Sequence, residues 1–297
     1  MRYLGLYFLI FLFFLSGCLT STFVANDALL QPWSTKLETQ EPYTYPYAAL
    51  YKKRGKTLIY VAARHEVSTN SPTFRLVKKT FETFSPNILI LEGLAPDQPM
   101  DRMVFFAEDC VKRDFQSCGE NFYAIHLVHK TKSTFISGEP PDEDILKSIV
   151  QKGYEHKELI LFYFLRQIPQ MKREGSLQKD HFANQANTYL AQRAKKLHVD
   201  SKIDFTDFQL WYQQKMNKEF VLDEINTEVP APRYDGTYMQ KFSQHVEDMR
   251  DSMIIKKIAK SLNEQETVMV VYGGSHLSVQ RQALEAMLGK PVSYYLP

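Results

Sequence analysis

Two short apolar runs near opposite ends of the chain stop at the same step, small-x-x-His. The first is TLIYVAARH, Thr57 to His65, and the second is TVMVVYGGSH, Thr267 to His276. Val, Ile and Tyr with few charges form the pattern of a buried strand. Ligands of open α/β sheets sit where strands end and loops begin. Two histidines at such exits can face one pocket, and imidazole is both the commonest metal ligand and the usual acid or base at neutral pH. Two carboxylates occupy equivalent places. NILILEG puts Glu92 after a largely apolar run, and STFISGE puts Glu139 at the end of a third. An ionised carboxylate there costs free energy unless it is paired or bound to a cation. Arg250 lies four residues after Val246 and three before Met253, flanking the apolar stripe of a helix, so it is expected to point inward, towards an anion, with Asp251 beside it. His276 precedes a helix, whose positive dipole end is expected to keep the imidazole neutral, as a ligand or base. Gly273 and Gly274 leave room for close approach of backbone and substrate.

Each residue alone has a plainer reading. A histidine after a strand is usually structural, Glu139 suits a helix start, and Arg250 suits a surface ion pair worth little. The coincidence of four polar strand ends, His65, Glu92, Glu139 and His276, in one sheet favours a site. Glu66 alternates to the other side of the chain. His126 and His129, at i, i+3 spacing, read as part of an amphipathic segment ahead of a metal pair, and His156, His181, His198 and His245 as surface.

The elements that must position these groups follow from periodicity. Phe74, Val77, Phe81 and Phe84 recur at helical spacing and stop at Pro86. Strands are expected over Asn87–Gly93 and Ser133–Glu139, with a helix around Met100–Cys110. PPDEDILKSIV is a helix start, with prolines at entry and acids in the first turn. Strands alternating with helices argue for βα units and an α/β fold with a central sheet flanked by helices. A helical insertion is expected at about 153–240. Within it, HKELILFYFLRQI is a core helix too short to span a bilayer, and Phe220–Tyr238 is a long loop and candidate lid. A helix over Gln240–Leu262 should bury Val246, Met249, Met253, Ile258 and Leu262. Leu277–Leu288 is helical, and PVSYYLP is a last strand.

The N-terminus reads as an address. Arg2 precedes an apolar stretch, Tyr3 to Leu15, too short to span a bilayer, and then Ser16, Gly17 and Cys18. LSGC resembles a bacterial lipobox. On that reading residues 1–17 are a signal peptide, Cys18 carries the lipid, residues 18–45 form a polar, Pro-punctuated tether and residues 46–297 form one domain. Leu19 after the cysteine favours the outer membrane of the cell envelope by analogy with enteric lipoproteins. Removing residues 1–17 takes away Arg2 and no acid, leaving 35 basic against 34 acidic residues. No Lys/Arg run exceeds three, so nothing points to nucleic acid. Cys110 and Cys118, eight apart, are candidates for a small-loop disulfide in an oxidising compartment.

Taken in order, the motifs resemble the TraB/TIKI superfamily, which includes erythromycin-esterase-like and ChaN-like haem-binding lipoproteins. The matching residues are Ala62 to His65, Glu92 in LILEG, Glu139 in SGEP, Arg250–Asp251 in EDMRDSM and Gly273 to His276. The sequence departs from the pattern in three places. Gly138 adjoins Glu139 directly, Ala62 stands where Gly is typical, and Asp251 stands where Asn is common. The resemblance implies two related halves sharing one cleft. It implies a divalent-metal-dependent peptidase in one branch, ester or lactone hydrolysis by a His/Glu pair in another, and haem binding in a third. The expectation is an envelope hydrolase of a peptide or small-molecule ester. His65, His276 and Glu92 would bind Mn, Co or Zn, or act as acid and base without metal. Glu139 would be a second acid/base or ligand, Arg250 would hold a substrate carboxylate or oxyanion, and the alternative is a haem-binding lipoprotein.

Overall fold

The computed structural model describes residues 22–115, 118–200 and 202–297; residues 1–17 and Cys18, the expected signal peptide and lipidation site, lie outside them. A short helix α1 (Thr35–Thr39) leads into β1 (Tyr47–Lys53) and β2 (Lys56–Ala63). Then come α2 (Pro72–Phe84), β3 (Ile88–Leu91), α3 (Met100–Val111), α4 (Gly119–His129) and β4 (Thr134–Ser137). Five helices follow: α5 (Asp142–Gln151), α6 (His156–Glu174), α7 (Phe182–Lys196), α8 (Phe205–Met216) and α9 (Tyr238–Glu264). The chain closes with β5 (Thr267–Gly273), α10 (Gly274–Leu288) and β6 (Ser293–Tyr295).

The six strands form one mixed sheet in the order β4-β3-β5-β2-β1-β6. β4, β3, β5 and β2 are mutually parallel, and β1 and β6 are antiparallel additions at one edge. The two His-bearing strands are central neighbours, paired from Thr57↔Thr267 to Ala63↔Gly273. Their runs are continuously apolar because both faces are covered. Tyr60, Val270 and Ile90 face Ile254, Ile258 and Leu262 of α9 and Leu277 and Leu284 of α10. Ile59, Val61, Leu89 and Val271 face Leu76 and Val77 of α2 and Ala124 and Ile125 of α4. The α/β class with a central sheet between helices is therefore as the sequence predicts.

β1 was not expected as a strand. It pairs with β2 in a tight hairpin whose central residues, Arg54 and Gly55, both have positive φ (54° and 75°). That is the backbone twist a two-residue hairpin turn needs. The helical insertion is present, and its apolar core joins α6, α7 and α8 to Ile145 and Ile149 of α5 and to Met239, Phe242 and Val246 of α9. Its packing therefore extends beyond 153–240 at both ends. The long loop before α9 is pinned where Lys172 Nζ donates to the carbonyls of Leu222 and Ile225, both at 2.7 Å.

Two expectations need correction. The described part of the segment read as a tether is a packed strap. Phe23 is buried and exchanges hydrogen bonds with the Asn263 side chain, and the Gln31 N–H donates to the Val279 carbonyl. Glu41 is paired with Arg281, and Tyr45 stacks on Tyr47. Polar and Pro-rich composition gave no hint of this, because the strap's few aromatic and charged side chains find their partners on distant α9 and α10. On α9, Met249 and Met253 are only half-buried, while Glu247, Arg250 and Asp251 are buried. The mid-helix face turned to the interior is polar because it serves the site. Cys110 and Cys118 form the disulfide that their spacing suggested, tying the end of α3 to the residue before α4.

Candidate active site

The site lies beyond the carboxyl ends of β2, β3, β4 and β5, where α9 crosses them. His65 leaves β2 two residues after Ala63, and Thr73 holds that exit, accepting from the Arg64 N–H at 3.2 Å and donating to the Arg64 carbonyl at 2.7 Å. Glu92 immediately follows β3. Glu139 follows β4 by two residues, its N–H on Ser137 Oγ at 3.0 Å. His276 lies in the first turn of α10. The sequence-predicted residues His65, Glu92, Glu139, Arg250, Asp251 and His276 are all brought together.

Glu92 is the hub. Its Oε2 accepts from the Gly273 N–H at 2.6 Å and its Oε1 from Arg250 Nη2 at 2.9 Å. His65 Nε2 stands 3.8 Å from Oε2 and His276 Nε2 3.6 Å from Oε1. Each histidine is anchored through its other nitrogen: Nδ1 of His65 on Glu120 Oε1 and Nδ1 of His276 on Asp251 Oδ1, both at 2.8 Å. Such an anchor fixes ring orientation and tautomer and leaves Nε2 for chemistry. Gln280 secures Asp251 from behind at 2.6 Å. A Cβ on Gly273 would sit 3.3 Å from both Glu92 Oε2 and His65 Nε2, so glycine there keeps the cleft open. Gly274 differs from expectation: its open side is filled by the Tyr45 ring, not left for substrate.

Arg250 binds protein carboxylates through every nitrogen. Nε and Nη2 hold Glu139 at 2.7 and 2.8 Å, Nη1 holds Glu247 at 2.7 Å, and Nη2 also reaches Glu92. The expectation that Arg250 holds a substrate anion is therefore corrected, because its fork is already filled by the carboxylates that buried it. Glu139 also accepts from the Gly93 N–H at 2.8 Å and the Tyr272 hydroxyl at 2.9 Å. That occupancy makes it a brace for Arg250 and not a free acid or base.

Sequence reasoning missed Glu120, Glu247, Tyr272 and Arg166, which reaches Glu247 from the insertion at 2.7 Å. Glu247 had a signal: Glu247, Arg250 and Asp251 share one helical face by i, i+3 and i+4 spacing. Glu120 had none, since it meets a residue 55 positions away.

Five carboxylates (Glu92, Glu120, Glu139, Glu247 and Asp251) face three fixed cations, Arg250, Arg166 and Lys257. Two formal negative charges remain for the histidines to balance. The ionisation of the groups follows. Glu92 raises the affinity of His65 for its proton, with help from Glu120 against desolvation, lifting it to about 9. Burial alone would push His276 down, but Asp251 and Glu92 outweigh it and lift it to about 10. The neutral imidazole expected from the helix dipole is thus corrected, because adjacent carboxylates exceed the effect of a helix terminus. Burial would raise Glu92, yet His65, His276 and Arg250 hold it well below the usual carboxylate range. Glu247 is held at about 2, its burial outweighed by Arg250 and Arg166. Burial pushes Asp251 up.

Two anchored imidazoles and a carboxylate are donors that suit Mn, Co or Zn. Among the described residues no three or more His, Cys, Asp or Glu are grouped to hold a metal ion. Glu92 Oε1 accepts from Arg250 and Oε2 from the Gly273 N–H, and each oxygen keeps a second acceptor site. A haem fits less well, since the carboxylates beside both histidines, Glu92, Glu120 and Asp251, would repel its propionates. No family model, curated protein or solved structure matches this chain.

Proposed function

We propose that the chain is a lipid-anchored envelope hydrolase, similar in site design to the TraB/TIKI superfamily, that cleaves an ester or peptide bond with water. The observation that carries this reading is the convergence of two carboxylate-anchored histidines, from neighbouring parallel strands, on the single carboxylate of Glu92. His65 has 57% of its side chain exposed at the mouth, whereas the His276 side chain is only 9% exposed. The accessible imidazole is the base. His65 Nε2, once neutral, takes a proton from water as the water oxygen attacks the acyl carbon, and Glu92 orients that water. His276 Nε2–H delivers a proton to the leaving oxygen or nitrogen as the acyl bond breaks. Such positioned proton transfers contribute roughly 10²–10⁴-fold.

A divalent cation bound between the histidines is the second reading. It would replace the two histidine protons that otherwise balance the excess negative charge of the site.

The test is a screen of p-nitrophenyl acyl esters and fluorogenic peptides, with chelator and with added Mn, Co or Zn. Wild type is compared with Glu92→Gln, and far-UV circular dichroism confirms the fold. Turnover in chelator that Glu92→Gln abolishes supports the metal-free hydrolase. Turnover only with metal favours the second reading. Undiminished activity in Glu92→Gln sinks the assignment, and a Soret band on haem titration with no hydrolysis replaces it with haem binding.

A further inference from the structure

The packed strap changes where the molecule can sit. Phe23 docks beside Asn263 near the end of α9, and Arg54 of the hairpin turn stacks over its ring at 5.6 Å. This is the end of the sheet where the parallel strands begin: the Thr57 N–H donates to the Glu266 carbonyl, and the Asn87 N–H to that of Thr267. The candidate active site lies at the opposite end of the same strands. Only Leu19 to Thr22 separate Cys18 from Phe23, so the reach from Cys18 to the body is at most about 18 Å.

The edge nearest Cys18 is also basic. Lys52 and Lys56 flank the hairpin turn, Lys130 and Lys132 precede β4, Lys260 lies in the last turns of α9 and Lys290 follows α10. All but Lys56, which is half-buried, are exposed. The acids at the same edge are Glu264 and Glu266 before β5, Glu82 in the last turn of α2 and Glu285 in the last turn of α10. The cleft at the far end is lined instead by carboxylates. The chain is thus polarised along its strands, with its basic end where the N-terminal segment attaches.

We propose that this edge is a docking surface for anionic phospholipid headgroups. It would seat the body upright on the bilayer that holds its anchor, with the active-site cleft facing away from the membrane. The proposal rests on reading Cys18 as acylated, and charge complementarity and the short reach from Cys18 commit the occupant to lipid. A basic residue held at an anionic surface contributes about 1 kcal/mol, so each charge removed should weaken binding about fivefold.

Two measurements test it. Mass spectrometry of the full chain expressed in bacteria reads acylation of Cys18 directly. Separately, the chain from Leu19, which keeps every residue of the described fold, is sedimented with vesicles of phosphatidylcholine alone or mixed with phosphatidylglycerol. Binding is expected only to the mixed vesicles, falling with salt. It should drop more than a hundredfold in Lys52→Glu/Lys56→Glu/Lys130→Glu/Lys132→Glu and not in Lys195→Glu, a reversal on the exposed face of α7. Circular dichroism checks that each variant is folded. Equal binding to both vesicle types, binding unaffected by the fourfold reversal, or duplex DNA binding as tight at the same salt overturns the lipid surface even if Cys18 is acylated. An unmodified Cys18 overturns the anchor, whatever the vesicles show.

Discussion

Arg250→Met removes the cation that makes the buried carboxylates tolerable. Arg250 is 8% exposed and donates four charge-assisted hydrogen bonds of 2.7 to 2.9 Å to Glu92, Glu139 and Glu247. Taken singly, each such bond is worth about 1.5–3 kcal/mol. Their sum overstates the effect, because burying the guanidinium costs much of it. Breaking a buried pair by removing one partner costs about 3–5 kcal/mol, since the remaining charge is left uncompensated. At pH 8 the variant should therefore lose about 3–5 kcal/mol, a large part of the roughly 5–15 kcal/mol that stabilises a typical protein. The deficit must depend on pH. Without Arg250 the folded-state affinity of Glu139 for its proton rises above its unfolded value, because Arg250 is the main cation that holds it down, while Glu92 keeps His65 and His276 and Glu247 keeps Arg166. A raised group stabilises below its unfolded value and loses that contribution as pH rises, so the variant recovers towards pH 5. Wild type moves the other way, because its depressed carboxylates lose stabilisation on acidification. Arg250→Lys keeps the charge but not the fork, and should fall between. Urea unfolding at both pH values reads the effect. A loss below about 1 kcal/mol at pH 8 with an unchanged denaturant slope, or a deficit that does not shrink towards pH 5, refutes the view of Arg250 as the clamp.

The other perturbations are more local. Asp251→Ala removes the acceptor that fixes the His276 tautomer, and activity should fall about 10–100-fold with little change in substrate KM; an unchanged kcat counts against His276 as the acid. In chelator, the raised affinities of His65 and His276 stabilise the fold fully below about 6.5 and lose that contribution as pH rises through about 9 to 10. Urea midpoints should therefore fall across that range, and less steeply in His276→Gln; parallel curves for the two proteins would contradict the shift. Reducing Cys110–Cys118 should cost about 2–3 kcal/mol for so short a loop. It should also lower activity, because α4 carries Glu120, the anchor of His65; unaltered unfolding midpoints with reductant would show the bond to be dispensable.

Much of the site was legible because strand chemistry is local. A continuous apolar run with a charged residue at its exit marks a buried strand whose end needs a partner, and His65, Glu92, Glu139 and His276 all carry that mark. The roles were less legible. Arg250 reads as an inward cation from its place on α9, but only the fold shows that three glutamates from β3, β4 and α9 itself already fill its fork. Glu120 carries no local mark, because its partner is brought to it by the packing of α4 against α2 and β4. The strap from Phe23 to Tyr45 was illegible for the same reason, as polar composition does not reveal that Glu41 will find Arg281.

The sequence by itself determined the α/β class, the strand ends that bear chemistry and the two-cysteine loop, since hydrophobic periodicity and residue spacing act within one element. Tertiary structure alone decided that β2 and β5 lie side by side, so that their histidines meet across Glu92. It also decided that Phe23 docks at the opposite, basic end of the sheet. Strand order and charge pairing are set by which surfaces bury one another, and that depends on residues far apart in the chain.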